Sequence, residues 1–487
     1  MVKWSDERIA LAFLLFPDHQ EIILSSRLPA VSRFMVLFRE LTRRAEVDRA
    51  VVYGVLTTVW GVVSGPVSLV LIATRFSPEV QGFYYTFGSV LALRVFAELG
   101  LGGVIARFAS HEWAALSLDD QGRIVGRPEA LSRLVSLGRI AFRWYLVASG
   151  GVAVGLGLAG YVFFAQSSYP GVNWVAPWFT LCILSSMNLY LVPAWSLLEG
   201  CNQVSRVYAF RLILGILSSL SVWAAILSGA GLWAAAIAAA VGIVWSGVFL
   251  GCRYRRFFKP FFSSMVGPSI SWRFEIWPMQ WRIALSWLSG YFTSSIFTPV
   301  LFHYHGALAA GQMGMTWSLA ATLGAIASTW SSTKAPRFGM LIARREYSEL
   351  DRLLLRVATA SITVLISGAL AIWCMVYVIY TLGIPLSKRL LPPLPTGLFL
   401  AGVVMMNCLG PVAVYLRAHK KEPFVLVSIG LGVLIGLSTW FLGSRFAATG
   451  VAIGYLAVAV FVSVPWNAII WYRCRAAWHW DSDRSHA

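Results

Sequence analysis

From Val51 onward, long apolar runs alternate with short clusters of charged residues, and that punctuation predicts the architecture. Each run approaches the roughly 20 residues that a helix needs to cross a hydrocarbon core. About twelve such runs follow one another. The first set covers Val51–Thr74, Gly82–Ala106, Trp144–Ala165, Trp174–Leu198, Val207–Ser228 and Leu232–Cys252. After a break come Ile283–Phe302, Gly311–Thr333, Val357–Leu382, Gly397–Leu416, Phe424–Leu442 and Val451–Tyr472. The expected fold class is therefore all-α, a polytopic membrane protein with a first six-helix lobe over 50–258, a linker over 259–276 and a second six-helix lobe over 277–475. Residues 1–49 read as a cytoplasmic or surface-lying amphipathic segment, and 476–487 as a cytoplasmic tail. The N-terminal apolar run Leu11–Phe16 is too short to span, and no cleavage site follows it.

The two sets repeat one another in order. Gly82-Phe83-Tyr84 opens the second span and Gly311-Gln312-Met313 the eighth; Leu131-Ser132-Arg133-Leu134 leads into the third and Leu350-Asp351-Arg352-Leu353 into the ninth. Gly231-Leu232 and Gly450-Val451 open the sixth and twelfth. An even number of spans per copy gives both copies one orientation, so the expected symmetry is a pseudo-two-fold along the membrane normal, with the working site between the lobes.

Composition changes the picture in two respects. The chain is 58% hydrophobic and 12% charged, which excludes a soluble domain, and its net charge of +18 is explained by basic membrane-flanking loops rather than by nucleic acid. One set of connections holds Arg107, Arg123, Arg127, Arg133, Arg206, Arg253, Arg255, Arg256, Lys259, Arg273, Lys334, Arg337, Arg344, Arg345, Arg352, Arg356, Arg417, Lys420 and Lys421, whereas the alternate set holds Arg75, Lys388, Arg389 and Arg445. The cation-rich side, with both termini, is expected to be cytoplasmic. The six cysteines are scattered without ligand spacing, so neither a metal site nor a disulfide framework is read and no cofactor is expected.

The candidate chemistry centres on the second span. Arg94 lies near its middle, roughly 17 Å from either end. Burying such a charge alone costs about 2.5–3.5 kcal/mol on insertion scales, so it is expected to face a polar cavity or a partner. Glu98, one helical turn on, is the expected partner. The same offsets from Gly311 fall on Leu323 and Ala327, so the second lobe has no equivalent charges and a purely assembling role is disfavoured.

Several stretches resemble a family. Ser64-Gly65-Pro66, Arg75-Phe76-Ser77-Pro78-Glu79, Gly82-Phe83-Tyr84 and Glu98-Leu99-Gly100-Leu101, followed by Trp277-Pro278-Met279-Gln280-Trp281-Arg282 and Ser286-Trp287-Leu288-Ser289-Gly290-Tyr291-Phe292, are similar to bacterial polysaccharide-biosynthesis, lipid-linked oligosaccharide flippases. These belong to the multidrug, oligosaccharidyl-lipid and polysaccharide exporter superfamily. The resemblance implies two lobes in a V, alternating access, and a polyprenyl-diphosphate-linked saccharide as the transported partner, with membrane lipid, a coupling ion and other polysaccharide-export proteins as further candidate partners. It also implies cationic cavity side chains for the diphosphate; the positions that match are Arg94, Arg211 and Arg282, with Arg107 at the rim and Glu98 beside Arg94. Two other readings stand beside it: a cation-coupled drug or metabolite exporter, for which Glu98 is the deep carboxylate, and a membrane saccharide polymerase or ligase. The last is disfavoured because the outer connections are short and nearly free of acids.

Overall fold

The computed structural model describes residues 49–166, 169, 171–263, 267–419 and 423–483. The expected amphipathic segment, the basic pair Lys420 and Lys421 and the end of the tail lie outside the described residues.

The apolar runs fold as helices, because a backbone in lipid must satisfy its own hydrogen bonds. The first lobe comprises α1 (Arg49–Arg75), α2 (Pro78–Leu91), a 3-10 turn (Ala92–Arg94), α3 (Val95–Glu98), α4 (Leu101–Trp113), α5 (Pro128–Ala165), α6 (Val175–Tyr190), α7 (Val192–Gly200), α8 (Val204–Leu227) and α9 (Trp233–Arg253). Between the lobes, α10 (Arg255–Phe258), a 3-10 turn (Lys259–Phe262) and a π turn (Trp272–Ile276) pack Phe257, Phe261, Ile270 and Ile276 into the first lobe's core. The second lobe comprises α11 (Trp277–Ser294), α12 (Phe297–Ala343), α13 (Tyr347–Thr381), α14 (Pro393–Asn407), α15 (Gly410–Ala418), α16 (Val425–Val458) and α17 (Val464–Asp483).

Eight of the described helical segments are long and apolar enough to cross a membrane, nine if the bent pair α2–α4 counts as one span. Three further spans account for the expected total. Val425–Ala477 passes as a single segment. Yet it folds back where Ala447 takes φ 51°, so a Cβ on Gly450 would meet the Leu442 carbonyl oxygen and one on Gly454 the Ser438 side chain. The other two are α11 and α12, whose Ser, Thr, Gly and Trp content makes them the least apolar of the set.

The fourth and tenth spans are broken ahead of Pro193 and Pro411, where proline lacks the N–H that a continuous helix requires. Before each break an asparagine folds back: Asn188 Nδ2 donates to the Leu184 and Ala239 carbonyls at 3.0 Å, and Asn407 Nδ2 to the Val403 carbonyl at 2.8 Å. Glycines one turn apart let α16 approach α11: a Cβ on Gly432 would meet Ser289 and one on Gly436 Phe292.

One element was not legible in the pattern. The loop after α4 forms a hairpin of β1 (Leu116–Leu118) and β2 (Ile124–Gly126). Its turn is closed by Asp119 Oδ1, which accepts from the Gln121 and Arg123 amides at 2.9 and 2.7 Å.

Candidate functional site

The second span, expected as one helix over Gly82–Ala106, is broken in its middle. Leu99 (φ 50°) and Gly100 (φ 65°) both take left-handed backbone, and the two halves meet at a bend of 43°. Glycine suits the second position doubly: it tolerates positive φ, and a Cβ there would lie 2.7 Å from Ile283 of α11. The break removes the helical donor to the Ala97 carbonyl, and the Trp144 indole supplies one at 3.3 Å. The equivalent stretch of the second lobe stays helical from Ala307 to Ala343, with Leu323 and Ala327 packed in its core.

The break places Arg94. Leu93, Phe96 and Ala97 face a groove against α5, while Ala92 and Val95 face α11. By helical phase this leaves Arg94 and Glu98 together on the third face of the turn. Arg94 is exposed there and makes no hydrogen bond or ion pair with any described residue. The guanidinium is thus not sealed in dry packing. Arg94 and Glu98 share this face and feel each other's charge, but the expected salt bridge between them is not closed. Glu98 is half-buried near the first turn of α4, its Oε1 3.8 Å from the place of a Cβ on Gly102. A carboxylate is favoured at that helix N-terminus.

The remaining candidates divide into two places. Arg107 on α4 reaches Met279 Sδ of α11 at 3.9 Å, and Arg282 lies one turn along α11, exposed and over the Trp281 ring at 5.5 Å. Arg107 therefore borders the seam between the lobes, and Arg282 lies one turn from its contact on α11. Arg211 instead pairs with Glu199 at the end of α7 and lies over Tyr208, so its charge is already answered within the first lobe.

Sequence reasoning did not single out the contact that closes the cation-poor end. Gly82 of α2 packs on α12 so tightly that a Cβ would sit 2.0 Å from the Ala307 carbonyl oxygen, and a Cβ on Gly311 would lie 3.0 Å from the Gly82 nitrogen. The residues that open repeat-equivalent spans thus touch each other, as a pseudo-two-fold passing between them requires. Buried Gln81 donates to the Gly311 carbonyl at 2.9 Å and to the Arg389 carbonyl at 3.0 Å, while the Arg389 guanidinium donates to the Phe76 carbonyl. Burial lowers the Arg389 pKa from its ordinary value, opposed by Glu79. The signal was present in the pairing of Gly82 with Gly311, but not its meaning.

At the cation-rich end, Arg133 bridges Glu112 (2.8 Å) and Glu275 (2.7 Å), joining α5 to the α4 end and to the interlobe linker. Those carboxylates raise the Arg133 pKa; the Ser271 amide, then Arg133, hold the Glu275 carboxyl below its usual range. From Ala325 onward α12 turns exposed at Ser328, Ser332, Thr333, Lys334 and Arg337.

No protein-family model matches the sequence, and no curated protein matches it. Solved structures do. The chain is similar to an inward-facing multidrug resistance MATE family transporter of the MOP superfamily (14% identity, 88% of this chain and 99% of that one, TM-score 0.58). It is similar also to the lipid II flippase MurJ in an inward closed conformation (12% identity, 86% and 87% coverage, TM-score 0.62). A third is the MATE multidrug transporter DinF-BH (13% identity, 86% and 93% coverage, TM-score 0.52). At these identities the likeness establishes the fold, two six-helix lobes, over most of the chain.

Proposed function

We propose that this chain is a flippase that carries a polyprenyl-diphosphate-linked saccharide from the cytoplasmic to the outer leaflet of a bacterial inner membrane, by alternating access of its two lobes. One observation carries the reading: Arg94 is an exposed guanidinium at mid-span of a broken helix, outside any hydrogen bond or salt bridge among the described residues, with the Glu98 carboxylate acting on it only through space. A planar, permanently charged fork held there suits the bidentate recognition of phosphate oxygens. Arg107 at the lobe seam and Arg282 one turn along α11 extend that cationic surface toward the cation-rich end, where the headgroup enters. Arg211 serves the first lobe through Glu199 and stands outside the diphosphate set.

Replacing Arg94 with Ala should lower export about ten- to a hundredfold, the worth of a charge-assisted hydrogen bond to phosphate, with insertion unchanged. Normal surface polysaccharide in a strain relying on Arg94→Ala protein at wild-type abundance overturns the reading. A second reading, a cation-coupled exporter, draws on Glu98, a half-buried carboxylate without an ion-pair partner among the described residues and near the buried, unpartnered Tyr145 hydroxyl. Its signature is drug resistance that Glu98→Gln abolishes while surface polysaccharide stays normal.

A further inference from the structure

We propose that the first lobe carries, on its lipid-facing side, a docking groove for the phosphate-bearing lipid carrier itself, in the cytoplasmic leaflet: an apolar trough for the proximal chain, with Arg143 just beyond its end for the phosphate. The identity of the occupant rests on the flippase reading; the groove rests on its own observations.

The trough has a volume of about 430 Å³ and runs between Leu93, Phe96 and Ala97 on one wall and Gly151, Val152 and Gly155 on the other. Glycines inside membrane helices usually let another segment approach, and along α5 three do: a Cβ on Gly138 would meet Phe261, one on Gly157 Phe179 and one on Gly160 Trp178. Gly151 and Gly155 meet nothing within 4 Å. They hollow the wall of α5 where no protein fills the hollow.

Cations stand just beyond the trough's end, on the adjoining face of α5. Trp144 ends the trough, and immediately before it Arg143, exposed and without a hydrogen bond or ion pair to any described residue, borders two cavities of about 370 and 190 Å³. Arg139, one turn earlier, lines both cavities too, and its guanidinium is held in place by the Phe261 carbonyl at 3.0 Å. Charge and apolar surface are thus adjacent along one helix, with the charge at the cation-rich end. That arrangement matches a lipid whose phosphate lies at the headgroup level and whose chain descends into the bilayer.

The far wall of the trough leads inward. Phe96 touches Tyr291 and Phe292 of α11 (ring centroids 5.9 and 6.2 Å), and behind it a cavity of about 410 Å³ opens between Val95 and Ser286, Trp287 and Gly290. Arg94 lies on the next face of the same turn. A carrier seated in the groove is therefore one aromatic contact away from the seam between the lobes.

Lipid tails are as apolar as the trough, so the chain gains only packing there, and the phosphate–arginine contact supplies most of the preference. The test places the full chain in phosphatidylcholine nanodiscs with a polyprenyl diphosphate bearing a diazirine on its head-proximal isoprene. Photolabel should map to residues 144–156 of α5. Arg143→Glu should cut labelling about tenfold. Gly155→Leu, which fills the trough without touching protein, should displace the label from α5, and Arg94→Ala should leave it in place. Label mapping elsewhere, wild-type labelling in both groove variants, or equal labelling by a diazirine phosphatidylglycerol overturns the proposal. Loss of labelling with Arg94 still required for export removes the groove and spares the flippase; groove labelling with Arg94 dispensable does the converse.

Discussion

The close crossing of α2 and α12 offers the sharpest mechanical test, because Gly82→Ala adds a single methyl group where the backbone leaves no room. The new carbon would start 2.0 Å from the Ala307 carbonyl oxygen. Carbon and oxygen need about 3.3 Å, so the helices must part by roughly 1.3 Å. Both partners are backbone, so a rotamer change gives no relief. Gln81 is the adjacent residue, and its donation to the Gly311 carbonyl at 2.9 Å lengthens with the separation. Leaving one buried N–H of that amide unpaired costs about 1–3 kcal/mol, which moves the balance between closed and open ends by about five- to a hundredfold. Interlobe equilibria are commonly a few kcal/mol deep, so the change is large enough to redistribute them. The assay is double electron–electron resonance between spin labels on Thr74→Cys and Thr381→Cys at the cation-poor ends of α1 and α13, with exposed Cys252 and Cys374 removed. A longer-distance population should grow in Gly82→Ala. Gly88→Ala, on the same helix with nothing within 4 Å, should match the parent. A Gly82→Ala distribution superimposable on the parent's refutes the claim that this contact holds the end shut.

Three further outcomes are expected. Gly100→Ala combines a left-handed backbone, disfavoured for alanine by about 1–2 kcal/mol, with a contact at 2.7 Å to Ile283; it should lower the unfolding temperature measured by scanning fluorimetry and impair transport, and unchanged values in both would count against the break as a designed feature. Because the Glu275 carboxyl is held below its ordinary value of 4.5, its contact with Arg133 stabilises the linker fully above that pH and is lost as pH falls through the lowered folded value. The contact is partly exposed and worth no more than about 1 kcal/mol, so hydrogen exchange over 267–276 should rise modestly below about pH 4.5 in the parent and not in Glu275→Gln. Trp144→Phe keeps an aromatic ring but removes the donor to the Ala97 carbonyl, and should cost about 1 kcal/mol of thermal stability; a shift within error would show that the carbonyl finds another donor.

Periodicity and charge sufficed for the all-helical, two-lobed membrane fold, since a hydrocarbon solvent forces every spanning backbone into helix and leaves charges few places to lie. Arg94 was legible for the same reason: a cation amid apolar residues stands out in one dimension. Its surroundings were not. The spacing of Arg94 and Glu98 put them on one face but could not say how closely their side chains meet, and no salt bridge closes between them. Gly151 and Gly155 look in the sequence like any packing glycines, and only the absence of a neighbour across space distinguishes them from Gly157 and Gly160. Likewise Gly82 and Gly311 are matched by repeat, but their contact depends on how two lobes dock. Hydropathy is a property of each residue against its solvent and can be read along a chain. Pairing, close approach and hollows are relations among segments distant in sequence, and they come into being only when the lobes pack.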